Sequence, residues 1–198
     1  ASAYYCSGYE KANVLTFDGS GETESHAFFL GEKGRLRRVW DIKLGSRFEK
    51  KKWHSIGMVY TRLTGFLNLG AQAEGKTMGL ASYGRPRFDF SRILNIKTHT
   101  DYTIDRRMIE TLYSQYRRTD PKGELTQDHK DLAASLQNAL ETSIVNLARE
   151  AHGTTGSKNF ALAGGVALNC NTNTKILEQD FCDSIFIQPA ASDGGIAL

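Results

Sequence analysis

Three short apolar segments, each ending in a turn that contains glycine or aspartate, constrain the fold of this 198-residue chain most strongly. The segments are residues 14–17, 159–163 and 184–188, and the turns that follow them are Asp18-Gly19, Gly164-Gly165 and Pro189 to Gly195. Apolar runs of this length bounded by turn residues predict buried strands. Ligands of open α/β folds bind at the edge where strands end, so we expect the three turns to lie together there.

The rest of the pattern predicts a mixed sheet with flanking helices. Residues 25–32 are expected to form a second strand and the alternating residues 35–42 a third, and the short turn between them predicts an antiparallel meander with the first strand. Helical spacing marks residues 53–69, 108–116 and a long apolar stripe from Leu132 to Ala148 that Gly153 or Gly156 ends. We expect a further helix from Gly164-Gly165 to about Gln179. This order predicts an α/β fold in a single domain.

Composition excludes several classes of protein. Hydrophobic residues make up 40% and charged residues 24% of the chain, which is typical of globular proteins, and a net charge of +3 is too small to indicate a nucleic-acid partner. We expect no membrane association, because no run approaches the roughly 18 apolar residues that span a bilayer. Three cysteines without CxxC spacing favour a reducing, cytoplasmic setting over a zinc site or disulfides.

The Asp18-Gly-Ser-Gly-Glu22 turn is the first candidate site. Glycines such as Gly19 and Gly21 let the backbone approach a ligand, and successive backbone N–H groups bind phosphate. The carboxylate of Asp18 is placed to hold a hard cation beside such phosphates. Asp-Gly is also the commonest hairpin turn, and for the isolated motif that ordinary interpretation is favoured.

The other two turns have equally plain interpretations when each is taken alone. Gly164-Gly165 is either a nucleotide-binding turn or a simple connection between a strand and a helix. Asp193 is either a metal ligand or a helix cap, and Lys76 is either a phosphate ligand or a surface lysine. No GxGxxG fingerprint is present in the sequence. All three turns follow apolar strands, and this shared placement favours a common ligand site over three unrelated turns.

Histidines and cysteines offer no clear catalytic set. His54 stands at a predicted helix start, where it would face a cleft, and the other four histidines lack ligand-like spacing. We expect Cys170 to be a small buried residue rather than a nucleophile.

Taken together, five motifs resemble the antibiotic and Nod-factor O-carbamoyltransferases, in family order and over nearly the whole chain. The first motif is Ala1-Ser-Ala-Tyr-Tyr5 together with the Asp18 turn. The other four are Glu74-Gly-Lys-Thr-Met-Gly-Leu-Ala-Ser-Tyr-Gly84, Asp131-Leu-Ala-Ala-Ser-Leu-Gln137, Ala163-Gly-Gly-Val-Ala-Leu-Asn169 and Gln188-Pro-Ala-Ala-Ser-Asp193. The resemblance implies an actin-like ATPase (ribonuclease H-like) fold, shared with the tRNA threonylcarbamoyl transferases. It also implies transfer of a carbamoyl group from carbamoyl-adenylate, made from carbamoyl phosphate and ATP, to a hydroxyl of a sugar or antibiotic-like acceptor.

The resemblance also implies roles for individual residues and partners. A divalent ion, iron with magnesium as the alternative, would lie at Asp18 and Asp193. Nucleotide contacts would come from these residues: Gly19, Gly21, Gly57, Glu74, Lys76, Gly164, Gly165 and Asn169. The family's HxxxH motif is expected before Ala1 and a YrdC-like domain after Leu198, so residues 1–198 would be a partial domain that is inactive alone, with homodimerisation possible. A small-molecule kinase and a non-catalytic nucleotide-binding module on the same fold are the alternatives.

Overall fold

The structure is a computed structural model that describes residues 1–19, 23–43 and 55–194. It combines a mixed sheet with flanking helices, as the sequence predicts. In chain order they are α1 (Ser2–Tyr5), β1 (Lys11–Phe17), β2 (Glu24–Glu32), β3 (Arg35–Lys43), α2 (Ile56–Phe66), α3 (Glu74–Ala81), β4 (Leu94–Ile96), β5 (Tyr102–Ile104), α4 (Arg106–Gln115), α5 (Gln127–Thr155), β6 (Asn159–Ala163), a 3-10 helix (Gly165–Leu168), α6 (Cys170–Leu177) and β7 (Ser184–Ile187).

The main sheet has five strands in the order β3-β2-β1-β6-β7. β1, β2 and β3 pair antiparallel, which confirms the predicted meander. β6 then pairs parallel with β1, and β7 pairs parallel with β6, so the sheet is mixed. Because β1, β6 and β7 run in the same direction, their carboxyl ends lie at one edge of the sheet. This is the arrangement that the three strand-end turns predicted.

Strand β1 is buried on both faces of the sheet. Leu15 and Phe17 belong to the large core that includes the apolar stripe of α5. Val14 points the other way and joins a smaller cluster with Ala161 and with Tyr4 of α1. The alternation of side chains along a strand explains this division, and it secures the position of the β1 carboxyl end.

Helix α5 confirms the strongest helical prediction. Its N-cap Thr126 accepts a hydrogen bond from the backbone N–H of His129, and the His129 side chain accepts one from the backbone of Thr126. Leu132, Leu136 and Leu140 are among the stripe residues buried against the sheet. Of the two glycines expected to end the helix, Gly153 lies inside it and Gly156 follows its last residue. Burial of the stripe therefore outweighs the low helix propensity of Gly153.

Two sequence-based predictions are corrected by the structure. The helix expected from Gly164-Gly165 to Gln179 is divided into the 3-10 helix and α6. Asn169 causes the break, because its side chain accepts a hydrogen bond from the backbone N–H of Thr172 and caps α6. Cys170 is exposed rather than buried, because it is the first residue of α6 after that cap. The buried cysteine is Cys182.

Boundaries elsewhere differ in ordinary ways. The helix predicted over residues 53–69 spans Ile56–Phe66 in the structure, and positions 53 and 54 lie outside the described residues. The weakly patterned stretch before α4 contains the small β4-β5 hairpin, which the sequence did not reveal. In the part of the chain that the structure describes, no helix is both long enough and apolar enough to cross a membrane.

Candidate functional site

A cleft of about 580 Å³ lies where β1, β6 and β7 end. Strand-end turns supply Asp18, Gly19, Gly165 and Asp193, while α2 and α3 supply Gly57 and Glu74, among others. The further lining residues are Ile56, Tyr60, Thr61, Gln72, Gly75, Met78, Leu140, Val166, Leu168, Asn169 and Ser192. Residues that are up to 175 positions apart in sequence are therefore brought to one concave site, as expected for a ligand site of an α/β fold.

The lining of this cleft combines acidic and apolar side chains. Three carboxylates, those of Asp18, Glu74 and Asp193, face an apolar wall that includes Met78 and Leu140. No lysine or arginine is found among the described lining residues. A phosphate placed beside carboxylates needs a neutralising cation, so an anionic ligand here would require a metal ion.

The turn after β1 packs directly on the start of α2. The backbone N–H of Gly19 donates to Asp18 Oδ1 at 2.7 Å. The Ser55 hydroxyl donates to the Gly19 carbonyl at 2.6 Å. The Ser55 hydroxyl oxygen also caps α2, because it accepts a hydrogen bond from the backbone N–H of Met58. A Cβ at Gly57 would lie only 2.7 Å from the N and Cα atoms of Gly19. Gly57 therefore permits the closest approach between the helix and the turn.

Gly164 holds the strand ends together without lining the cleft. Its φ is +94°, a conformation that side chains disfavour, and its N–H donates to the carbonyl of Ala191 at 2.6 Å. A Cβ at this position would overlap the carbonyl oxygen of Phe17. The adjacent Gly165 does line the cleft, and a Cβ there would lie 3.4 Å from Asp18 Oδ1. The two glycines thus have different roles: Gly164 closes the junction and Gly165 faces the cleft.

Asn169 lies in a buried hydrogen-bond network with Tyr60 and Gln137. The amides of Gln137 and Asn169 pair reciprocally, at 3.1 and 2.9 Å. Tyr60 donates through its hydroxyl to Gln137 Oε1 at 2.9 Å. Burial raises the pKa of Tyr60 above its usual value. The network joins α2, α5 and the start of α6 at the side of the cleft.

The remaining predicted site residues are distributed differently. Glu74 lines the cleft, and its carboxylate accepts a hydrogen bond from the hydroxyl of Thr61 at 2.8 Å. Lys76 is not part of the described lining and donates instead to the carbonyl of Leu69 at 3.0 Å. Gly21 and His54 lie outside the described residues. The structure therefore brings together Asp18, Gly19, Gly57, Glu74, Gly165, Asn169 and Asp193, with Gly164 directly behind them.

The carboxylates of Asp18 and Asp193 suit a hydrated hard cation. Magnesium is commonly held by one or two carboxylates, with substrate phosphates and waters completing its shell. Within residues 1–19, 23–43 and 55–194, no group of three or more histidine, cysteine, aspartate or glutamate side chains is arranged to hold a metal ion.

Sequence reasoning missed Tyr60 and Gln137 as residues of this region. In the sequence, Tyr60 is one of the residues at helical spacing within residues 53–69, and its hydroxyl contact depends on a partner 77 positions away. A signal existed for Gln137, since it is a polar residue next to Leu136 in the buried part of α5. Buried polar groups need partners, so a polar residue at this position of a buried helix indicates a hydrogen bond to another element.

Comparison with known proteins identifies the family. The family model described as Carbamoyltransferase N-terminus matches residues 1–198. The chain belongs to this family. It is 36% identical over 201 residues to nodulation protein NolNO of Sinorhizobium fredii, covering all of this chain and 28% of that protein. It is 33% identical over 201 residues to nodulation protein NolO of Bradyrhizobium diazoefficiens, again covering all of this chain and 35% of the relative.

A more distant relative belongs to a second group of proteins. The tRNA N6-adenosine threonylcarbamoyltransferase of Syntrophotalea carbinolica is 32% identical over 115 residues, which cover 57% of this chain and 33% of that protein. The resemblance stated from the sequence motifs is thereby confirmed at the level of the family. The chain spans about a third of the length of these curated relatives, between 28% and 35%.

Proposed function

We propose that the full-length protein transfers a carbamoyl group to a hydroxyl acceptor and that this chain supplies the cleft where the nucleotide and its cation bind. The observation that carries the proposal is the meeting of the three strand-end turns around one cleft that contains both Asp18 and Asp193. Membership of the carbamoyltransferase family supports the type of group transferred. The mixed sheet and the threonylcarbamoyltransferase relative support an actin-like ATPase fold for this region.

The proposed donor is carbamoyl-adenylate, formed from carbamoyl phosphate and ATP, and the acceptor is a sugar or antibiotic-like molecule. The acceptor oxygen forms a bond to the carbamoyl carbon, the bond from that carbon to the phosphate oxygen breaks, and AMP leaves with the electron pair. A base removes the hydroxyl proton. A divalent cation, when bound, neutralises charge on the phosphate leaving group. The remaining task of the cleft is positioning, to which the backbone of Gly19 and Gly165 contributes.

Two substitutions, Asp18→Asn and Asp193→Asn, test the cation site in the full-length protein. Asparagine at position 18 still offers an oxygen to the N–H of Gly19, so the turn is retained while the charge is lost. We expect each variant to bind ATP with Mg²⁺ at least about tenfold more weakly, a loss of about 1.4 kcal/mol in calorimetry. Asp183→Asn is the matched control, because that carboxylate is exposed and pairs with Lys158.

The same preparations are assayed for bound metal and for carbamoyl transfer from carbamoyl phosphate. Unchanged metal content together with unchanged transfer in both variants would refute the assignment of the two aspartates. Product analysis separates this function from a kinase, because the proposed reaction depends on carbamoyl phosphate and releases AMP. A kinase would yield ADP and a phosphorylated acceptor without carbamoyl phosphate.

A further inference from the structure

The amide of Gln137 has every hydrogen-bonding position occupied. Its Oε1 accepts from the Tyr60 hydroxyl and from Asn169 Nδ2, and its Nε2 donates to Asn169 Oδ1 and to Glu141 Oε1 at 2.7 Å. A primary amide has two N–H donors and two carbonyl lone pairs, so nothing remains for a ligand. Gln137 is buried, and its surroundings therefore determine which way the amide faces.

Glu141 decides the orientation of that amide. A carboxylate only accepts hydrogen bonds, so the NH₂ group of Gln137 must face Glu141. The carbonyl oxygen of Gln137 must then face Tyr60, and it takes the single phenolic proton. Tyr60 lines the cleft beside Asn169, but it has no proton left to donate. The Asn169 side chain also hydrogen-bonds this oxygen, so towards a ligand the oxygen can act only as an acceptor, through its remaining lone pair.

We propose that Tyr60 is a specificity-determining residue of the cleft, where its oxygen accepts a hydrogen bond from an N–H or O–H group of the ligand, and that Gln137 is the positioning residue that keeps it an acceptor. This inference rests on the proposed function, because it names a contact within the proposed nucleotide cleft. Sites that hydrogen-bond a particular substrate group discriminate strongly against analogues that lack it.

The ligands of the proposed reaction offer three donors of this chemistry: the amino group of the carbamoyl moiety, the amino group of adenine, and the ribose hydroxyls. Each has an analogue that lacks only the donor. Acetyl phosphate replaces the amino group of carbamoyl phosphate by a methyl group, purine riboside triphosphate replaces the adenine amino group by hydrogen, and 2′-deoxy-ATP and 3′-deoxy-ATP each lack one hydroxyl. Comparison within each pair reports which donor reaches Tyr60.

The experiment measures binding of each ligand and its analogue, with Mg²⁺, to the full-length wild-type protein and to Tyr60→Phe. For one pair, we expect Tyr60→Phe to weaken binding of the donor-bearing ligand about fivefold to tenfold, the effect of one lost hydrogen bond. The analogue of that pair should bind both proteins equally. Tyr113→Phe is the matched control: its buried hydroxyl donates to the carbonyl of Val59 and lies outside the described cleft lining.

A second variant, Gln137→Met, tests the positioning role and keeps the proposal testable if Tyr60→Phe folds poorly. Methionine keeps the side-chain length but releases the phenolic proton, so Tyr60 can donate as well as accept. We expect the discrimination between the sensitive ligand and its analogue to fall severalfold in this variant, while Tyr113→Phe keeps the wild-type ratio.

The outcomes separate the two proposals. If wild-type protein binds the ligands but Tyr60→Phe and Gln137→Met retain every wild-type affinity ratio, the inference about Tyr60 is wrong and the proposed function stands. If wild-type protein binds none of the ligands, both fail. A loss confined to one pair of ligands supports the inference and identifies the donor.

Discussion

Replacement of Gly57 by alanine provides the sharpest test of how the cleft is built. Alanine is normally favoured over glycine inside a helix, by about 0.5–1 kcal/mol. At Gly57, however, the new Cβ would lie 2.7 Å from the N and Cα of Gly19 and 2.9 Å from the carbonyl carbon of Asp18. All three atoms are backbone, so no flexible side chain can move aside.

The size of the effect follows from these opposing contributions. Overpacking of this kind costs about 1–3 kcal/mol, which offsets the propensity gain and leaves a net loss of up to about 2.5 kcal/mol in the free energy of unfolding. Gly65 in the same helix is the matched control, because a Cβ there meets nothing within 4 Å. We expect Gly65→Ala to be neutral or to stabilise the protein by up to about 1 kcal/mol.

Urea unfolding of the two variants and the wild type, followed by circular dichroism, measures these differences. ATP titration of the same samples reports whether displacement of the Gly19 turn also weakens binding, as we expect for Gly57→Ala alone. The reasoning would be refuted by a Gly57→Ala protein that gains as much stability as Gly65→Ala and binds ATP normally.

Two further predictions concern the strand ends and the buried histidine. Gly164→Ala should destabilise the protein more than Gly165→Ala in the same unfolding assay, because only Gly164 combines a positive φ with a Cβ that overlaps the Phe17 carbonyl; equal effects would contradict this. Burial lowers the pKa of His26 to about 3 from an ordinary 6.5, so the unfolded chain binds a proton that the folded chain does not. Stability should therefore fall as pH decreases from 6.5 towards 3, by at most about 1.4 kcal/mol per pH unit for this group. Unfolding free energies measured against pH should show a shallower fall in His26→Gln, and parallel curves would overturn the assignment.

The sequence by itself determined the features that depend on local patterns. The apolar run of β6 and the stripe of α5 predicted their elements closely, because alternation and helical periodicity are properties of neighbouring residues. The three strand-end turns likewise predicted a common sheet edge, and the structure places Asp18, Gly165 and Asp193 around one cleft there. Their role in binding a nucleotide or a cation stays a prediction that the proposed substitutions test.

Tertiary structure decided the features that depend on distant partners. Gly57 must be small because the backbone of Gly19, 38 positions earlier, lies against it, and Gln137 pairs with Tyr60 of α2 and with Asn169, the N-cap of α6. Lys76 is directed to a backbone carbonyl outside the described lining of the cleft. Side-chain direction and hydrogen-bond partnership follow from the packing of elements against one another, which local periodicity does not encode. The motifs thus indicated where the cleft lies, and only the packing of α2, α5 and α6 decided which polar groups face it.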